Sequence, residues 1–81
     1  MEPSALRNEI LLRVQAHEAT GSGHYLEDTK LATGLDLALT EIQNQLLILE
    51  DEDKVDLSKA FGPSYGVRLK PKGMRALETP E

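Results

Sequence analysis

Four short strings in this chain of 81 residues hold side chains whose types could do chemistry. Gly62, Pro63, Ser64, Tyr65 and Gly66 spell GxSxG, the string of a hydrolase nucleophile elbow. That chemistry needs a strand running into the turn, a helix leaving it, and a His base with an acid partner brought close by a large sheet. Here a strand-like run follows the Ser, so the string reads as a chance match. His17 and His24 are seven apart across a Gly-rich break, with Glu18, Glu27 and Asp28 nearby, but neither HExxH nor another ligand spacing accompanies them. Asp51, Asp53 and Asp56 suggest a calcium loop, yet Val55 stands where the third ligand belongs, and the Gly and terminal Glu are missing. Those acids read as a solvated helix end with a turn. Thr20, Gly21, Ser22 and Gly23 lack the GK[ST] ending of a phosphate-binding loop. With no Cys, thiol catalysis, thiolate metal sites and disulfides are excluded. The expectation is a protein that is not an enzyme and carries neither cofactor nor metal.

What remains is recognition chemistry. Thr40, Gln43 and Asn44 carry groups that can meet base edges: Gln and Asn pair bidentately with adenine, and Thr meets a base edge or a thymine methyl. The same residues are also ordinary on a solvated helix face. Overall charge is −5, which argues against binding a polyanion by charge alone. The distribution is uneven: residues 59 to 75 hold Lys59, Arg68, Lys70, Lys72 and Arg75 without an acid, whereas residues 1 to 58 hold four bases and twelve acids. Any phosphate site is therefore local to the basic segment.

The elements that must position these residues follow from hydrophobic periodicity. Leu6, Ile10, Leu11 and Val14 mark one face of a helix over residues 3 to 19, opened by Pro3 and Ser4 and closed by the Gly-rich break. From His24 the pattern resumes with Tyr25 and Leu26, then acids suited to a helix start, then Leu31, Ala32 and Leu35, a short second helix. Asp36 suits the unusual backbone of a tight turn. Leu39, Ile42, Leu46 and Leu49 then recur at helical steps, which puts Thr40, Gln43, Asn44 and Leu47 on the outward stripe of a third helix. After Glu50 to Asp53 the period falls to two: Val55 and Leu57, then Tyr65, Val67 and Leu69, predict two facing strands. Their link, Lys59 to Ser64, is longer than a two-residue turn and is expected to project as a loop. Met74 and Leu77 suggest a last helical turn, and residues 79 to 81 a frayed tail. The longest strongly apolar stretch is Leu46 to Leu49, where a membrane span needs roughly 20 residues, so a cytoplasmic protein without membrane or export segment is expected.

This order is that of a winged helix-turn-helix, and the residues resemble that family in detail. Leu31, Ala32, Asp36, Leu37, Ile42, Leu46, Leu49, Glu50 and Val55 fall where such domains place the apolar positions of helix two, the turn, helix three and the first wing strand. Val67, Arg68, Leu69, Lys70, Pro71, Lys72 and Gly73 look like the v-x-L-T-P-K-G close of the second wing strand in MarR- and PadR-type bacterial and archaeal transcription regulators. The resemblance covers about residues 5 to 78 of a single domain, 1–81, with Asp36 where Gly is frequent and Lys70 where Thr is usual. It implies an α+β fold of three helices, a two-stranded wing hairpin and a short C-terminal helical turn.

Two functions fit that fold, which serves both as DNA reader and as adaptor. In the first, a transcription-regulator-like module binds double-stranded DNA. Thr40, Gln43 and Asn44 lie in the major groove, Lys59 and Arg68 lead the phosphate contacts, and Lys70 and Lys72 support them. Two to four such contacts give a log-log salt slope of only about −2 to −4, and a homodimer would double them. In the alternative, a protein-interaction or adaptor domain uses Leu47, Phe61, Pro63 and Tyr65 against a protein partner, unless Phe61 and Tyr65 pack beneath the wing instead.

Overall fold

The structure, a computed structural model, describes residues 2–21 and 23–78, and the side chains of all of these except residues 60 and 61. The expected tail at 79–81 and the side chain of Phe61 lie outside what is described. The described residues form a mixed α+β fold of four helices and a three-stranded antiparallel sheet. Its elements are α1 (Pro3–Ala19), β1 (Leu26–Glu27), α2 (Asp28–Leu35), α3 (Leu39–Asp51), β2 (Val55–Phe61), β3 (Ser64–Leu69) and α4 (Pro71–Glu78).

The helical faces read from periodicity are the faces that pack. Leu6, Ile10, Leu11 and Val14 of α1 are buried against Ile42, Leu46 and Leu49 of α3, with Leu31 and Ala32 of α2 and Val55, Leu57 and Val67 of the sheet closing the core. Each such aliphatic side chain contributes about 1.5–3 kcal/mol on burial, so the core depends on all three layers. Arg7 adds a polar tie, donating from Nη1 to Oε1 of Gln45 at 2.9 Å between α1 and α3. Asp36 closes α2 in the left-handed region at φ 57°, which an Asp tolerates because its short side chain bonds locally.

Three features differ from expectation. Tyr25 and Leu26 are not helical: Leu26 and Glu27 form β1, which pairs with Val67 and Gly66 of β3, so β3 is the central strand in the order β1-β3-β2. The link between β2 and β3 is not a long loop. Phe61 pairs with Ser64 across a two-residue turn, because Gly62 supplies φ 73° at the first central position and the ring of Pro63 suits the second. The residues left over are absorbed by a bulge: between the pairs Ser58–Gly66 and Phe61–Ser64, Lys59 and Ala60 oppose Tyr65 alone. Finally, the last helical turn is an eight-residue helix, α4. Gly73 lets it dock, since a Cβ there would collide with the Lys54 backbone carbonyl.

β1 is only two residues long and covers one stretch of β3. Two carboxylates complete the edge. Oδ2 of Asp28 accepts the Tyr65 N–H at 2.9 Å, and Oε2 of Glu18 accepts the Leu69 N–H at 2.6 Å, two residues either side of Val67. These side chains satisfy strand donors that a longer β1 would have met.

Candidate functional site

The outward side of α3 and the β2–β3 hairpin are held together by Asp28. As the first residue of α2 it is completely buried, and its Oδ2 accepts both the Tyr65 N–H and the Gln43 side-chain amide, the latter at 2.9 Å. Gln43 Nε2 also donates to the Pro63 carbonyl at 3.1 Å. One side chain from α3 is therefore tied to α2 and to the hairpin turn, so the turn sits at a fixed place beside α3. Both partners of Nε2 are acceptors, which fixes the amide orientation and engages both of its hydrogens. Gln43 thus lacks the free donor that bidentate adenine recognition requires. In this structure it is a positioning residue for the hairpin.

The other expected α3 residues are on the surface. Thr40 and Asn44 are exposed one turn apart, and Leu47 is 41% exposed. Ile48, which the outward stripe did not include, is 40% exposed. On the helical wheel Leu47 and Ile48 lie on either side of the line through Asn44 and Asp51, so two large aliphatic side chains border one ridge. A wheel centred between Ile42, Leu46 and Leu49 puts Ile48 as far outward as Leu47, and Gln43 on the flank. Helix α3 carries Glu41, Glu50 and Asp51 and not one Lys or Arg.

The hairpin sends the cations of the basic segment to its two ends. Lys59 is exposed in the bulge beside the turn, whereas Lys70 is at the hairpin root, its backbone N–H bonded to the Lys54 carbonyl at 3.0 Å. Lys59 is five residue steps along the strand from Lys54, roughly 17 Å. Lys70 is bound through Nζ to Oδ1 of Asp53. That contact lowers the Asp53 carboxyl below its ordinary range and raises the Lys70 ammonium above its own, in each case through the hydrogen bond first and then the mutual charge. Arg68 projects from the sheet face opposite the core, across from Asp56, with its guanidinium 5.2 Å over the Tyr25 ring. Lys72 is exposed on α4. Lys59 is thus set apart from Lys70 and Lys72, both of which act on the Asp53 carboxylate.

Of the alternative set, Pro63 is exposed at the turn, and Tyr65 is half-buried against the core, a support for the hairpin. Ser64 of the GxSxG string is the first residue of β3, entered from a tight turn and followed by a strand, outside the strand-turn-helix setting of a nucleophile. His17 Nε2 bonds the His24 carbonyl at 2.9 Å, and among the described residues there is no group of three His, Asp or Glu placed to hold a metal ion. Among the same residues no helix is long and apolar enough to cross a membrane. The chain matches no known protein family, no curated protein and no solved structure.

Proposed function

We propose that this chain is a winged-helix-type domain that works as a non-enzymatic, cytoplasmic protein-interaction module. The outward face of α3 is its docking surface and the hairpin turn its fixed flank. The element order and the sheet order β1-β3-β2 support the winged reading, with β2 and β3 as the wing. The docking reading rests on one observation: Leu47 and Ile48 are both about two-fifths exposed on a helix without a single cation. Exposed aliphatic side chains grouped on a rigid element mark a contact surface, and the acids beside them repel phosphates. DNA reading is the second proposal, favoured by Thr40 and Asn44 side by side on that face with Lys59 beyond the hairpin turn.

The test is an amide-shift titration of labelled protein with a helical peptide bearing two Leu one turn apart and uncharged flanks. Shifts confined to residues 40–51 and the hairpin turn, abolished by Leu47→Asp, are the expected result. Shifts scattered over the domain, or surviving that substitution, would overturn it.

A further inference from the structure

The charge around Leu47 and Ile48 selects an occupant. Glu41 lies before these residues and Asp51 beyond them, both exposed, and among the described residues neither has an ion-pair partner. The cations bordering α3 are already engaged: Arg7 with Gln45, Lys54 with Glu52 at 3.4 Å, and Lys70 with Asp53. The last turn of α3 has no basic residue, although the carbonyl end of a helix favours positive charge. A second α3 laid antiparallel would set Glu41 against Asp51, so two-fold pairing of copies through this face is repulsive.

Resting on the docking reading above, we propose that the partner of this face is a cationic amphipathic helix. Its apolar side chains cover Leu47 and Ile48, and its Lys or Arg residues reach Glu41 and Asp51. Those two acids are ten positions apart, about 15 Å along the helix axis, so the partner's cations are spaced by about ten or eleven residues when it lies along α3. The hairpin turn, held by Gln43 through the Pro63 carbonyl, bounds the face on one side and leaves the other open for the partner. Packing of one helix along the ridge of another supplies the contact area, and the paired charges set orientation.

The experiment uses three peptides of about 18 residues, a length that supports an isolated helix, sharing the same two central Leu. One carries Lys ten residues apart outside the Leu pair, one carries Glu there, and one carries the Lys five apart. Binding is read by fluorescence anisotropy, with amide shifts to locate it. The widely spaced Lys peptide binds at least about tenfold tighter than the Glu peptide and several-fold tighter than the closely spaced one, and it weakens as salt rises through the range that shortens screening to about 8 Å. The double variant Glu41→Lys with Asp51→Lys, both on exposed sites, reverses the order of the first two. Equal binding of the Lys and Glu peptides to α3 would overturn the cationic partner while leaving the docking surface standing. A wild-type chain that self-associates through α3 would overturn it in favour of a second copy. Duplex DNA shifting α3 where every peptide fails would remove the docking reading itself.

Discussion

Replacing Asp28 tests the joint on which the α3 and hairpin geometry depends. Its Oδ2 accepts two donors, the Tyr65 N–H and the Gln43 amide, each at 2.9 Å, while Oδ1 is buried without a partner. Hydrogen bonds to a charged group contribute about 1.5–3 kcal/mol each, so Asp28→Ala forfeits about 3–6 kcal/mol and leaves a strand N–H unmet. Removing a buried carboxylate without an ion-pair partner relieves part of that, and the expected net loss is about 2–3 kcal/mol. Asp28→Asn keeps an acceptor at the Oδ2 position but weakens both bonds and places amide hydrogens where Oδ1 lacked a partner, a loss of about 1 kcal/mol. In a domain of this size 1 kcal/mol corresponds to about 4–8 °C in Tm. Urea unfolding followed by circular dichroism therefore ranks wild type above Asn above Ala, with parallel m-values. Hydrogen exchange at the Tyr65 amide accelerates most in the Ala variant. An Ala variant as stable as wild type, or more stable than Asn, would refute the argument, because burial of the charge would then outweigh both bonds.

Other positions give independent checks. Gly73→Ala sets a methyl against the Lys54 carbonyl and should cost about 2 kcal/mol or more in urea unfolding by displacing α4; an unchanged midpoint would contradict the close docking. Asp36→Gly relieves a left-handed residue at φ 57° and should raise stability by about 0.5–1 kcal/mol, whereas Asp36→Val should lower it; the opposite order in thermal melts would remove the strain argument. The Lys70–Asp53 contact lowers the Asp53 carboxyl, so its contribution is present above the unfolded carboxyl value and disappears as pH falls through the lower folded value. Raising the Lys70 ammonium adds the converse limit: the contribution is complete below the unfolded ammonium value and disappears as pH rises through the higher folded one. Wild type and Lys70→Met should accordingly differ in Tm near neutral pH and converge in strong acid, and a constant difference across that range would show that packing, not charge, is involved.

Where the sequence repeats a period over many residues, the fold is readable from it. The seventeen residues of α1 and the thirteen of α3 present the apolar faces their spacing predicts, and alternation at Val55, Leu57, Val67 and Leu69 marks the two long strands. β1 is hidden because two residues carry no period, and its existence depends on partners forty residues away in β3. The Gly62–Pro63 turn was obscured by the bulge, which moves Lys59 and Ala60 into the strand rather than the loop. At the surface the sequence identifies exposure but not engagement: Gln43 falls on the outer half of α3, yet its amide is held by Asp28 and Pro63. Charge is least legible. Lys59 and Lys70 belong to one basic run, but an antiparallel hairpin sends one to its turn and the other to its root, and the acid of Asp53 meets Lys70 there.

The most direct measurement is a low-salt titration of the labelled wild-type protein with mixed-sequence duplex DNA, following the amides of Thr40, Asn44, Leu47, Ile48 and Lys59. A protein-docking face bordered by Glu41 and Asp51 predicts that these amides stay in place while the widely spaced Lys peptide, added next, moves them. Shifts on Thr40, Asn44 and Lys59 with duplex that fade as salt rises would contradict the account and make the same surface a DNA reader.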